Sequence, residues 1–252
     1  MSTTLEVLFA PAEYAVLPHR HLSETVCVVF DILRATSTMM TALANGAREI
    51  RPVAEIQEAL AFRQQNPDVL LAGERNGVRI LASQTGACDF DLGNSPLEFA
   101  AEKVRGKTIV MTTTNGTRAL RACASAQTVL IGTLLGLRAI ARWIEREPPR
   151  NLLLVCSGTI EQASYEDTLG AGALCDLIWP AYAQGTIFDS AQIARQIYSA
   201  AQGDLLKAMQ HARNGRRLLA LAELRNDVSY CAQRDTISFV AGLGKDGGVR
   251  KI

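Results

Sequence analysis

V-C-V-V-F-D-I-L-R-A-T-S-T, residues 26–38, changes character at its middle. Residues 26–30 are apolar without polar alternation, the pattern of a parallel strand buried on both faces. Asp31 stands where such a strand emerges at its carboxyl end, the position at which open α/β sheets bind ligands. Arg34, Thr36, Ser37 and Thr38 follow, and the apolar spacing over 39–43 predicts a helix whose first amides face the same crevice. A carboxylate, a guanidinium and free amides in one place suit a metal ion and a phosphate. A competing reading makes Asp31 a mere strand terminator and Ser37 or Thr38 a helix N-cap.

Outward from this stretch the same strand-loop-helix step recurs. Residues 5–9 read as a first strand, followed by a loop with His19, Arg20 and His21. That loop has no third ligand at recognisable spacing, so it is left out of the site. Asn45-Gly46 caps the first helix, residues 48–53 form a strand and 54–65 a helix. A strand over 69–72 ends in G-E-R-N-G, placing Glu74 and Arg75 side by side. The Asx-rich loop 86–96 carries Asp91, Asn94 and Ser95, and Pro96 opens a helix expected over 97–104. A strand over 107–111 runs into T-T-T-N-G-T, with Thr114, Asn115 and Gly116, before a helix over 118–124. Strands around Val129 and over 152–155 flank a helix expected at 134–145, and the second opens into C-S-G-T. Glu166 and Asp167 start the next helix, where the helix dipole alone would favour acids. Residues 190–233 read as helical with breaks at Gly203 and Asn214-Gly215, 236–240 as a closing strand and 242–248 as a loose tail.

This order predicts a layered α/β/α fold with a largely parallel or mixed sheet. It is expected to be one domain over 1–252, with two α/β lobes dividing near 146–151 as the variant, because Pro148-Pro149 is the sole candidate boundary. The chain is 48% hydrophobic with a formal net charge of +1, so nothing in its composition calls for nucleic acid. No apolar run reaches the roughly 18 residues of a membrane span, and the N-terminus lacks the basic region of a secretory signal. Six cysteines without a C-x-x-C pair point to a reducing cytoplasm. The apolar helices beyond Ser190 leave room for a homo-oligomer.

Acids and arginines at successive strand ends, without paired His or Cys ligands, suit Mg²⁺, a hard cation that takes oxygen ligands and shares a phosphate. The arginines and the amides over 113–116 could hold the phosphate oxygens. There is no G-x-x-x-x-G-K-[ST], no G-x-G-x-x-G after a strand and no G-x-S-x-G. Cys156 lacks the arginine of a C-x₅-R phosphate loop, so it reads as a strand-end cysteine.

The motifs D-I-L-R-A-T-S-T, G-E-R-N-G, F-D-L-G-N-S-P, T-T-N-G-T and E-D, with N-G-R-x-L at 214–218 and D-V-S-Y-C at 227–231, occur in order along almost the whole chain. In this the chain resembles the ComB family of 2-phosphosulfolactate phosphatases. The resemblance implies a Mg²⁺-dependent acid phosphatase of α/β fold, releasing sulfolactate and phosphate from 2-phospho-3-sulfolactate on the route to coenzyme M. Its partner would be a small, anionic, phosphorylated metabolite. Carried onto this chain, it places Asp31, Arg34, Glu74, Arg75, Asp91, Asn94, Asn115, Glu166 and Asp167 at the site. We assign catalysis to Asp31, Arg34, Glu74, Arg75 and Asp167, and metal binding to Asp31, Glu74, Glu166 and Asp167. Substrate contacts go to Thr36, Ser37, Asn94, Ser95, Thr114, Asn115, Gly116 and Arg118, with Arg79, Arg118 and Arg216 as candidates for the distal anions. Metal-activated water is favoured over an aspartyl-phosphate on Asp31, since Leu33 breaks the D-x-D of such enzymes. The alternatives are a phosphatase for another 2-hydroxy-acid phosphate and a non-catalytic protein that binds anionic metabolites.

Overall fold

The computed structural model describes residues 3–252. Its strands are β1 (Thr4–Leu8), β2 (Thr25–Phe30), β3 (Glu49–Pro52), β4 (Leu70–Arg75), β5 (Val78–Arg79), β6 (Thr108–Thr112), β7 (Thr128–Gly132), β8 (Asn151–Cys156), β9 (Thr186–Ile187), β10 (Ala241–Leu243) and β11 (Val249–Lys251). They form one mixed sheet of order β5-β4-β6-β3-β11-β10-β7-β2-β8-β1-β9. β2 shows why the layers form. Its residues are all buried, and they alternate between two cores, Val26, Val28 and Phe30 packing on one face and Cys27 and Val29 on the other. A strand apolar at every position needs helices on both faces, and these supply them. The first core takes apolar residues from helices Leu137–Arg146, Tyr165–Tyr182 and Asp189–Ala201, the second from helix Ala35–Ala44.

The sheet contains two parallel blocks. β9, β1, β8, β2 and β7 form one, β4, β6 and β3 the other. The antiparallel hairpin β10–β11 bridges them, β10 pairing with β7 and β11 with β3. That hairpin replaces the loose tail expected at 242–248, and residues 236–240 precede it rather than forming the closing strand. β8 lies between β2 and β1, so the chain on both sides of Pro148-Pro149 enters the same block.

Local differences from the sequence reading have local causes. The helix expected over 97–104 is split into a 3₁₀ turn, Pro96–Glu98, and a short helix, Ala101–Val104. Asn214-Gly215 lies inside helix Arg213–Leu219 instead of breaking it. Gly215 is needed there for contact, since a Cβ would stand 1.8 Å from the Met209 carbonyl oxygen. β4 continues past residue 72 through Glu74 and Arg75, because Asn76 and Gly77 adopt φ of +56° and +79° and turn the chain into β5. Asn-Gly in this conformation is the favoured two-residue hairpin turn.

Candidate active site

The carboxyl ends of β2, β4, β6 and β8 deliver their polar residues to one cleft, lined among others by Asp31, Arg34, Glu74, Asn94, Asn115, Thr159, Asn214 and Arg217. Asp31 follows the last residue of β2. Its Oδ1 accepts from the Ala35 amide at 3.1 Å, and its own amide donates to Thr36 Oγ1 at 3.0 Å. Asp31 therefore both ends the strand and satisfies a first-turn amide of helix Ala35–Ala44, while its Oδ2 faces Gly116. A Cβ on Gly116 would come within 2.7 Å of that oxygen, so only glycine leaves Asp31 its place.

Asp167, at the start of helix Tyr165–Tyr182, ties β2 to β8. Its Oδ1 accepts from the Ile32 amide at 2.8 Å, and its Oδ2 from Ser157 Oγ and the Gly158 amide, both at 3.2 Å. The neighbouring Glu166 accepts from Asn214 Nδ2 at 2.6 Å, and the same amide nitrogen donates to Thr159 Oγ1 at 2.7 Å. Glu74 is held from the other block. Its Oε1 accepts from the Thr114 amide at 2.9 Å and Thr114 Oγ1 at 2.8 Å, and its Oε2 from the Gly77 amide at 2.6 Å.

These four carboxylates are buried, with relative exposures of 8% for Asp31 and Glu74, 1% for Glu166 and 2% for Asp167. Among the described residues none has an ion-pair partner. Burial pushes Asp31 up to about 6, with the charges of Glu74 and Glu166 adding to the effect and the Ala35 amide opposing it. Asp167 lies well above the usual carboxylate range, first through burial and then through the charges of Asp31 and Glu166. No backbone amide donates to Asp31 Oδ2 or Glu166 Oε2 among the described residues, and the Ser157 hydroxyl, near Asp31, helps to draw its carboxyl back down. No three His, Cys, Asp or Glu side chains gather as a metal cage among the described residues.

Arg34 lines the same cleft. It is 3% exposed, and its Nη1 donates to Asp227 Oδ2 at 2.7 Å, a carboxylate with no exposure at all. Its Nη2 donates to the Gly77 carbonyl at 2.6 Å, and Ser95 Oγ donates to Asp227 Oδ1 at 2.6 Å. Burial raises Asp227, with Ser95 and Arg34 drawing it back. Asp227 was given no role in the sequence reading. Its signal was an acid inside the apolar stripe Leu224, Val228 and Cys231, where only a buried partner makes a carboxylate tolerable.

Several expected contacts belong elsewhere in the structure. Arg75 neighbours Glu74 in a strand, so its side chain leaves by the other face, donating to Thr112 Oγ1 at 3.0 Å and to the Glu74 carbonyl at 2.7 Å. Asp91 pairs with Arg63 and accepts from the Leu71 amide at 2.7 Å. Ser37 and Thr38 are not N-caps. Ser37 Oγ donates to the Ile32 carbonyl at 2.9 Å and Thr38 Oγ1 to the Asn94 carbonyl at 2.9 Å. Thr36 and Ser95 are engaged by Asp31 and Asp227, and the Thr114 amide by Glu74, so these are groups that shape the site's walls. Arg118 pairs with Glu161 at 2.9 Å, and Arg216 donates to the His211 carbonyl. Asn94, by contrast, is buried at the cleft with an Oδ1 that has no partner. Cys156 is buried, with its thiol well above the ordinary range through desolvation.

One side of the cleft mouth is the loop between β8 and helix Tyr165–Tyr182. Ile160 and Glu161 there adopt φ of +48° and +56°, and Ile160 is 69% exposed. A β-branched residue in the left-handed region carries strain, of the kind that collects at ligand-binding loops.

The family model described as 2-phosphosulpholactate phosphatase matches residues 13–245. A probable 2-phosphosulfolactate phosphatase of Caldanaerobacter subterraneus subsp. tengcongensis is 40% identical over 242 residues, covering 94% of this chain and 95% of that protein. The chain belongs to the 2-phosphosulpholactate phosphatase family. Further members similar to it carry the same description, one from Symbiobacterium thermophilum, 36% identical over 88% of this chain and 93% of its own, and one from Gloeobacter violaceus, 39% identical over 84% and 85%. Family membership spans every element that lines the cleft. Among the described residues, no helix is long and apolar enough to cross a membrane.

Proposed function

We propose that the chain is a phosphoric monoester hydrolase that uses Mg²⁺ to release phosphate from 2-phosphosulfolactate, as the names of its relatives suggest and as a step toward coenzyme M would require. Its main support is a set of four buried carboxylates with no cationic partner among the described residues: Asp31 and Glu74 line the cleft, Glu166 is bound to the lining Asn214, and Asp167 to the Ile32 amide beside Asp31. Unpaired buried carboxylates are costly unless they protonate or meet a cation. Asp31 and Glu166, each with a carboxylate oxygen that no backbone amide occupies, would hold the ion. Asp167 and Glu74 are engaged by amides and hydroxyls and position the loops around it. Two protein carboxylates are enough for Mg²⁺, which fills its remaining positions with water and substrate oxygens. When bound, the ion supplies a Lewis acid for the phosphoryl group and acidifies water.

The chain's own residues bind and orient the ester. Arg34, fixed by Asp227, lends positive charge to the wall that faces the phosphoryl oxygens and offsets the charge that develops on them. Asn115 lines the same cleft, and Asn94 Oδ1 is an acceptor for a hydroxyl or an ordered water. Hydrolysis breaks the P–O ester bond as water oxygen joins phosphorus, and the released hydroxy acid leaves with a proton.

The test is phosphate release from 2-phosphosulfolactate, 2-phospholactate and phosphoglycolate with Mg²⁺ or with EDTA. Release with Mg²⁺ and its loss in EDTA are expected, with the sulfonated ester preferred. Asp31→Asn and Glu166→Gln should each lower kcat/KM by about a hundredfold or more. Full turnover in EDTA would refute the metal, and full turnover by both variants would refute the site. Release from none of the esters would refute the activity.

A further inference from the structure

2-Phosphosulfolactate carries a sulfonate one carbon beyond the phosphoester carbon, and the cleft holds two guanidiniums, Arg34 and Arg217. We infer that Arg217 binds that sulfonate and thereby sets the preference for a sulfonated ester, an inference that rests on the function proposed above. The two arginines straddle one turn. Arg34 Nη2 donates to the Gly77 carbonyl, and Arg217 Nη2 to the adjacent Asn76 carbonyl. Arg34 is buried and its charge is already matched by Asp227. Arg217 is exposed at the rim and, among the described residues, has no carboxylate partner. Of the two arginines that line the cleft, it is the one whose charge no carboxylate matches.

Arg217 is also held in place. Its helix, Arg213–Leu219, is tied to the site by Asn214 through Glu166 and Thr159, and to the mouth loop by Arg213, whose Nη1 donates to Gln162 Oε1 at 2.9 Å. Gly215 lets that helix sit against the Met209 carbonyl. On the turn below, a Cβ on Gly77 would stand only 3.6 Å from Arg217 Nε, so the guanidinium lies directly over the glycine. One nitrogen is spent on Asn76, leaving the rest of the fork for a ligand. A sulfonate is ionised at any physiological pH and offers several oxygens to a planar, weakly hydrated guanidinium. The remaining cationic candidates do not line the cleft: Arg118 pairs with Glu161, Arg216 caps the His211 carbonyl, and Arg79 faces an adjoining recess, where Glu98 and Glu223 are also present.

The experiment compares kcat and KM of wild type, Arg217→Gln and Arg217→Lys on 2-phosphosulfolactate and on 2-phospholactate, which has a methyl group in place of the sulfonated carbon. In Arg217→Gln, KM for the sulfonated ester should rise about tenfold or more with kcat within about twofold, while KM for 2-phospholactate stays nearly unchanged. Arg217→Lys should recover part of the preference. Titration of 3-sulfolactate into each protein reads the same contact without turnover, and its affinity should fall in Arg217→Gln. Equal losses on both esters, or an intact preference with intact 3-sulfolactate affinity, would overturn the inference while leaving the phosphatase reading in place. A wild type that cleaves neither ester would overturn both.

Discussion

At the scale of single residues, the site depends on which charges are matched and which are not. Arg34 and Asp227 form a pair from which water is excluded, with Ser95 completing the acid's hydrogen bonds. Removing one member strands the other, so Asp227→Asn should cost about 3 to 5 kcal/mol in urea unfolding, far more than a surface ion pair. A loss below 1 kcal/mol would show that Arg34 finds water or another acid. The cysteines make a second case. Cys27, Cys123, Cys156, Cys175 and Cys231 are buried, and Cys88 is partly exposed. Desolvation pushes Cys175 and Cys231 up to about 12. A thiol reagent at pH 8 should therefore modify one cysteine in the native protein, Cys88, and the other five only after unfolding, as intact-mass measurement would count directly.

At the scale of elements, period decides what a motif contributes. G-E-R-N-G placed an acid and an arginine together in sequence, and the two-residue alternation of β4 separates them, Glu74 into the cleft and Arg75 toward Thr112. The strand was visible in the sequence. Its extension through Arg75 is not local, because it depends on the pairing of Glu74 and Arg75 with β5 across the Asn76-Gly77 turn. The mouth loop presents a different element-scale property. Ile160 contributes little burial and keeps a left-handed backbone that asparagine adopts more easily. Ile160→Asn should thus raise stability by about 1 kcal/mol, read as an increased midpoint of thermal unfolding, with any loss confined to KM. Destabilisation would mean that the side chain contributes more than the strain costs.

At the scale of the whole molecule, folding brings carboxylates from distant parts of the chain into one desolvated place, which makes stability depend on pH and on cations. Asp31 moves from 3.8 to about 6, and Asp167 is raised well above its ordinary value by burial and by the charge of Asp31. Because the folded values exceed the unfolded ones, their stabilising protonation is complete below about pH 4 and is lost as pH rises through 6. In EDTA the melting temperature should fall between pH 5 and pH 8, and Mg²⁺ should raise it most at pH 8, where the ion replaces the missing protons. A metal-free protein more stable at pH 8 than at pH 5 would contradict this balance. The layered α/β class, the strand ends that carry Asp31 and Glu74, the helix start that carries Asp167 and the ordered family motifs are legible in the sequence, because hydrophobic period, glycine turns and short motifs are local properties. The bridging hairpin β10–β11, the pairing of Arg34 with Asp227 and the place of Arg217 over Gly77 are not. Those join residues far apart in the chain, and only packing two parallel blocks around shared helices fixes which of many acids and arginines meet.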